Sequence, residues 1–418
     1  MKILIIAYYY PPCVGIAANR PAAFAQDFSK ENEVKVITRH WTGDENKWTD
    51  YLISNDTPKQ NEQISERLEV IRLPYKAKLR KNNAVKTFLD LLSGKTDSEI
   101  DSLQFLSEVS ELVSHWKPDI LLVSSPPLNI ITLAHQLSKL HKLPFVADFR
   151  DFENHMILNT QRTSDLKERI LFYFKSRHIK EKLKQSKGIT AVNEEIIQYF
   201  RKDLHKPSEL IFNGFEQSIF NRFIPVEQLD LDYFSISIIG TIYPNQDLDI
   251  FLDAFNRILN EKPLAKIRFH FIGTNSIPET GLRIKEALPT DKIVLTDRIP
   301  RHEAVKYMEQ SHLLWQPEMK GYTGMYTGKI FEYLGAKRPI LVAPSIGDVL
   351  DRLLEETGAG KSFHSSEEIS DYILHKYNEW ETNGFINYEG NDSSISFYSR
   401  ENQSERLLRF IQSLIEKH

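Results

Sequence analysis

Short apolar runs alternate with longer stretches of helical periodicity along the whole chain. Continuous apolar runs predict strands buried on both faces. Their alternation with helices predicts parallel sheets with crossover helices. In the first half the strand-like runs are Lys2–Tyr9, Val34–Thr38, Glu69–Leu73, Asp119–Val123 and the stretch PFVADF. Helical spacing occupies Arg20–Lys30 and NIITLAHQLSKLHK. A second series follows the loop Ile211–Phe220, with strands in YFSISIIGTI, KIRFHFIGTN and SHLLWQP and helices in QDLDIFLDAFNRILNEK and HEAVKYMEQ. It continues into TGKIFEYLGAKRPILVAP, Thr327 to Pro344, which reads as a loop, a short helix and a buried strand. The expected fold class is α/β, two Rossmann-like domains facing across a cleft, 1–207 and 208–399. Ligands of such sheets bind at the carboxyl ends of the strands. The last helix, Arg400–Ile415, sets Leu407, Leu408, Ile411 and Leu414 in one stripe that must pack on a neighbour.

Composition narrows the function classes. A chain of 418 residues suits two domains better than one core. A net charge of -4 argues against general nucleic-acid binding. The single cysteine, Cys13, excludes an internal disulfide framework and a cysteine-rich zinc site, and fits a reducing cytoplasm. The apolar start MKILIIAYYYPP is too short to span a membrane and lacks a signal-peptide cleavage region, so a buried strand is expected there.

Five stretches could carry chemistry. Lys329 opens a predicted helix, where the partial positive charge of the backbone disfavours a cation. The placement makes sense if an anion is held there by free N–H groups and the lysine together. The plain alternative is a solvated pair with Glu332 one turn on. In YYYPPCVGIAANR, Gly15 lies between a strand and a helix, where a glycine admits close approach of a phosphate or simply makes a turn. Cys13 in the same loop has no identifiable base partner. In VADFRDFE, Asp148, Arg150 and Asp151 stand at a strand end. They suit either acceptor hydroxyls and a proton or a structural ion pair. In IIGTIYPNQD, Gly240 and Thr241 form a turn whose N–H groups can make an anion nest. Asp247 and Asp249 resemble a metal-binding pair, but a helix start makes capping the better reading. Asp230 and Asp232 read as solvated, and no metal is expected. In VLTDRIPRHEAVKYM, Arg298 and Ile299 follow a strand, and the arginine suits a base, a phosphate or plain solvent. Two basic stretches, YKAKLRKNNAVKTFLDLL and LKERILFYFKSRHIKEKLKQSK, fit an anionic membrane surface or, as the plainer reading, core-facing helices with solvated basic faces. No P-loop, HExxH or serine nucleophile elbow occurs.

Taken in order, these stretches resemble the glycosyltransferases of the GT-B fold, and specifically family 4, which builds bacterial capsules, exopolysaccharides and O-antigens. ILIIAYYYPPCVGIAANRPAAFA is similar to the family's opening strand and glycine loop. SSPPLNIITLAHQLSKLHKLPFVADFRD is similar to a bacterial subgroup. ITAVNEEIIQYFRK and IFNGFEQSIF look like its inter-domain hinge region. IIGTIYPNQDLDIFLDAF, FHFIGT, IVLTDRIPRHEAVKYM and TGKIFEYLGAKRPILVAP look like its donor domain. The resemblance implies a retaining transferase that moves a sugar from a nucleotide-diphosphate sugar to a glycan or undecaprenyl-type lipid-linked acceptor. It implies no further cofactor, a cytoplasmic location and contact with the inner face of the cell membrane. It also implies that the helix 400–418 packs back on the first domain. Glu332 matches the second glutamate of the family's E-x7-E motif and would hold the ribose. Lys329, with Thr327, Gly328 and Ile330 at the helix start, would face the diphosphate. Gly15, Gly240 and Thr241 would approach the same group, and Arg298 and Ile299 would flank the base. The chain departs from the family in three places. Gly324 replaces the first glutamate, leaving backbone N–H groups to serve the sugar. The Arg and Lys after the GT turn are absent. Arg150 replaces a histidine and cannot act as a base, so Asp151 or Asp148 is the candidate proton acceptor. A nucleotide-sugar epimerase of the same fold and a non-catalytic nucleotide-sugar-binding protein are the competing readings.

Overall fold

The computed structural model describes residues 1–14, 16–45, 48–77, 101–151, 166–220 and 232–416. Gly15, Asp230 and most of the first basic stretch lie outside the described residues. Contacts divide the chain into two compact units, Met1–Asn213 with Arg400–His418, and Gly214–Ser399.

The first unit is built on eight strands: β1 (Lys2–Ala7), β2 (Glu33–Arg39), β3 (Gln60–Ser65), β4 (Leu68–Leu73), β5 (Ile120–Ser125), β6 (Phe145–Phe149), β7 (Gly188–Ala191) and β8 (Ser208–Leu210). Their order is β3-β4-β2-β1-β5-β6-β7-β8, parallel except where the edge strand β3 runs antiparallel to β4. Helices α1 (Asn19–Phe28), α2 (Leu106–Trp116), α3 (Asn129–His141), α4 (Leu166–Leu183) and α5 (Glu194–Leu204) connect them. Every residue of β5 and β6 is buried, as a central parallel strand covered on both faces requires. The stretch ITAVNEEIIQYFRK forms β7 and α5 inside this unit, not a linker. The Asn193 side chain starts α5 by accepting the N–H of Ile196 at 3.1 Å. The C-terminal helix Arg400–Ile415 belongs to the same unit. It buries Leu407, Ile411 and Leu414 in a cluster with Phe24 and Phe28 of α1, while Leu408 stays partly exposed. Gly188 admits that helix, because a Cβ there would stand 2.8 Å from side-chain carbons of both Phe410 and Leu414.

The second unit has six parallel strands: β9 (Phe234–Ile239), β10 (Ile267–Ile272), β11 (Ile293–Leu295), β12 (Leu313–Gln316), β13 (Ile340–Val342) and β14 (Gly360–Ser362). Their order is β11-β10-β9-β12-β13-β14. The helices are α6 (Asp249–Glu261), α7 (Pro278–Ala287), α8 (Arg301–Gln310), α9 (Gly328–Ala336), α10 (Val349–Thr357), α11 (Ser366–Asn383) and α12 (Asp392–Phe397). One face of the sheet is aromatic and apolar. Phe251 of α6 stacks on Trp315 at 3.5 Å, and Phe234, Ile236 and Ile238 share that core. The other face carries a buried polar seam, in which Ser237 meets His270 and Ser311 at 3.2 and 2.6 Å. The strand order reverses between β9 and β12. Connections leave those two strands toward opposite faces, which opens a crevice at their carboxyl ends.

Candidate functional site

Gly240 is the first residue after β9 and turns with φ +94°. Such a backbone is strained for any residue with a Cβ. A Cβ there would also lie 2.7 Å from Cε and 2.9 Å from Nζ of Lys329. Lys329 stands in the first turn of α9, and its ammonium donates to the Thr241 carbonyl at 2.9 Å. The lysine therefore lies flat across the turn after β9, within the crevice. Desolvation pulls its ammonium down to about 8, with the Glu332 carboxylate opposing. A cation held at a helix start and partly stripped of water is poised for an anion.

The surrounding backbone suits the same ligand. Thr327, the residue before α9, makes no side-chain cap. Its hydroxyl donates to Gln316 at 3.1 Å, so the first N–H groups of the helix lack that partner. A Cβ built on Gly328 meets nothing within 4 Å, which leaves open space over the helix start. Ile330 is fully buried, so only its backbone can face a ligand. A second glycine turn follows β10. Gly273 has φ +81°, and a Cβ on it would sit 3.3 Å from the Cα of Gly240. Thr274 ties the turns together by donating to the Gly240 carbonyl at 3.0 Å, and the Thr241 and Ser276 hydroxyls meet at 3.3 Å. After β11, Arg298 is exposed and Ile299 half-buried, on the same edge of the sheet.

Glu332 lies one turn into α9, where Arg301 holds it through Nε at 3.0 Å and Nη2 at 2.9 Å. Both contacts fall on Oε1, leaving Oε2 without a partner among the described residues. Arg301 also reaches Glu216 at 3.3 Å. The sequence reading passes over Arg301, although it carries the same signal as Lys329, a cation in the first turn of a helix. Gly324 does not offer a free N–H, because that group donates to the Asp348 carboxylate. Asp247 and Asp249 are engaged elsewhere. Asp247 pairs with Lys320 at 2.7 Å and accepts the Ile250 N–H, and Asp249 pairs with Arg283. Among the described residues no three His, Cys, Asp or Glu groups could hold a metal together.

In the first unit the three residues of the DFRD stretch separate. Asp148 is fully buried at the end of β6, where Arg20 reaches its two oxygens at 2.9 and 2.7 Å and the Thr190 hydroxyl donates at 2.7 Å. Arg20 spends another donor on the Phe212 carbonyl at 2.7 Å. That is a saturated structural network, and it leaves Asp148 unsuited to proton transfer with a bound acceptor. The Arg150 guanidinium lies 5.9 Å from the Tyr9 ring centre, and its backbone N–H donates to Ser125 at 2.9 Å. Asp151 is exposed. Cys13 is buried. In the second basic stretch, Tyr173 and Ile170 are exposed on α4, whereas Phe172 packs toward the core. Among the described residues no helix is long and apolar enough to cross a membrane.

No protein-family model and no curated protein sequence matches the chain. Solved structures do. A sucrose-phosphate synthase from Thermosynechococcus elongatus superposes with a TM-score of 0.64 at 12% identity, over 100% of both chains. Anabaena HepE in complex with UDP gives 0.62 at 12% identity, over 99% of this chain and 100% of its own. The trehalose-6-phosphate synthase OtsA gives 0.61 at 12% identity, over 99% of both chains. The chain therefore has the GT-B fold class, two parallel-sheet α/β domains.

Proposed function

We propose that this protein is a glycosyltransferase whose nucleoside diphosphate sugar binds at the carboxyl ends of β9 and β12. The observation that carries the reading is Lys329, desolvated across the Gly240–Thr241 turn at the start of α9. In the transition state of sugar transfer the leaving diphosphate gains negative charge. A fixed ammonium and free helix N–H groups stabilise that charge more than they stabilise the ground state. Lys329, with Arg298, takes the part that a cationic cofactor plays elsewhere, so no metal is required. The free oxygen of Glu332 accepts the ribose hydroxyls, and Arg301 holds that carboxylate in place. UDP is the first nucleotide to try, because HepE of the same fold is seen with UDP.

The finer reading is a retaining transferase that serves bacterial surface polysaccharide synthesis, on a glycan or lipid-linked acceptor at the inner face of the membrane. Lys329 and the helix start ease departure of the diphosphate, which favours front-face attack with the leaving phosphate taking the acceptor proton. Asp151, exposed after β6, is the carboxylate suited to an acceptor hydroxyl. The test is release of nucleoside diphosphate from UDP- and GDP-sugars with and without glycan acceptors, with the product's anomeric configuration read by NMR. Acceptor-dependent release with retention supports the proposal. Conversion of the sugar without acceptor makes the protein an epimerase, and binding without turnover makes it a carrier.

A further inference from the structure

Arg150 is the first residue after β6 in the first unit, and nothing there holds its charge. Its backbone N–H donates to the Ser125 carbonyl at 2.9 Å. Its side chain is half-buried and makes no hydrogen bond or ion pair among the described residues. The carboxylates on either side of it in the DFRD stretch do not serve it. Both oxygens of Asp148 are held by Arg20, and one of them also by the Thr190 hydroxyl. Asp151 is exposed and forms no ion pair with it. What the guanidinium meets is the Tyr9 ring, 5.9 Å from its centre, at the outer limit of a cation–π contact. Burial lowers the Arg150 pKa, with the Asp151 charge opposing. A guanidinium carries five donors, and stripping them of water is costly unless a ligand supplies the acceptor. One strand over, at the end of β5, the buried Ser125 hydroxyl also lacks a partner.

The place suits a ligand. Strand order in the first unit reverses between β1 and β5. Phe24 and Phe28 of α1 pack on one face of the sheet with Ile3 and Ile5, whereas α3 packs on the other with Leu4 and Ile6. The connections after β1 and β5 therefore leave toward opposite faces, which opens a crevice at the carboxyl ends of those strands. Tyr9, two residues past β1, brings Arg150 to its edge. We propose that Arg150 binds a phosphate group at this crevice, and that the sugar acceptor of this protein carries that phosphate. The planar guanidinium meets a phosphate with two parallel N–H donors. A soluble sugar phosphate and a lipid-linked sugar present the same group. The assignment to an acceptor rests on the transferase reading above, but the anion site does not. With Arg150 on the phosphate, Asp151 beside it in the chain is left for an acceptor hydroxyl.

The test is calorimetric titration of full-chain Lys329→Met, with and without Arg150→Gln. The probes are glucose, glucose 6-phosphate, glucuronate, geraniol and geranyl phosphate. Removing Lys329 keeps phosphate bound at the donor site out of the reading, so the result does not depend on that site. The expected result is that one phosphate ester binds at least about tenfold more tightly than its alcohol, and that Arg150→Gln removes the preference. Preference for glucose 6-phosphate marks a soluble acceptor, and preference for geranyl phosphate a lipid-linked one. Because the guanidinium has no partner to lose, Arg150→Gln should melt no lower than its parent, whereas loss of a structural arginine would lower the melting temperature. No preference for either phosphate, a preference that survives Arg150→Gln, binding of glucuronate in place of both phosphates, or a variant that melts far below its parent would each overturn the proposal. Failure of the native protein to bind UDP would instead contradict the donor reading, and the acceptor assignment would fall with it.

Discussion

The side chain of Lys329 occupies the space that a Cβ on Gly240 would fill, within 2.7 Å of that position at Cε. The two residues are far apart in sequence and come together because β9 and β12 are neighbours in the sheet. Gly240→Ala should therefore act on function through Lys329. A methyl group would displace the ammonium from the Thr241 carbonyl and strain the φ +94° turn, at a cost of about 1–3 kcal/mol. The variant should stay folded, with nucleoside diphosphate affinity reduced by about tenfold or more. Circular dichroism and calorimetry check the two halves of that statement.

Lys329 also predicts a pH dependence. Its pKa is lowered to about 8 in the free protein. A bound diphosphate favours the charged form and raises that value. Binding near pH 8 should take up a proton, and affinity should weaken as pH rises above about 8. Titrations in buffers of different ionisation enthalpy read the uptake directly. Lys329→Arg, which stays charged at that pH, should abolish it.

Glu332 and Arg301 separate two parts of the nucleotide. Glu332→Gln should weaken UDP by about tenfold, since a hydrogen bond to a charged group is worth about 1.5–3 kcal/mol. It should leave inorganic pyrophosphate binding nearly unchanged. Competition of pyrophosphate against UDP in both proteins measures the difference.

The DFRD carboxylates should behave differently. Asp148→Ala leaves Arg20 buried and unpaired, which typically costs about 3–5 kcal/mol. Its melting temperature should drop sharply. Asp151→Asn should melt like the native protein and lose turnover. Loss of turnover without loss of stability in Asp148→Asn would reverse these roles.

The polar seam of the second unit makes it acid-sensitive. Burial lowers His270 and His312 to about 4. The unfolded histidines bind protons first, so stability present above about pH 6.5 is lost as pH falls toward 4, on the order of 3 kcal/mol apiece. Glu318 works in the opposite sense. Its folded value near 7 exceeds the unfolded one, so its contribution declines as pH rises from about 4.5 through 7. Melting curves of His312→Asn and Glu318→Gln between pH 4 and 8 should flatten one limb each.

The fold class is legible because central strands such as β5, ILLVSS, are buried on both faces and read as near-continuous apolar runs. The edge strand β3, QNEQIS, is mostly exposed and carries no such pattern, so it is invisible to the same reading. β7 has only four residues, and its resemblance to a hinge hides its place in the sheet. Within the candidate site, Lys329 stands out by an electrostatic oddity, a cation in the first turn of a helix. Arg301 has that oddity too, but reading the helix from His302 starts it one residue late. The burial of Asp148 and Glu318 comes from partners distant in sequence, Arg20 and Ile346, which no local pattern announces.

The central claim is that Lys329 and the start of α9 hold a nucleoside diphosphate. Its most direct measurement is calorimetric titration of UDP and GDP into the native protein and Lys329→Met at pH 7. The expected result is saturable binding of one nucleotide by the native protein, weakened at least about thirtyfold in the variant. Binding of equal strength in both proteins would contradict it.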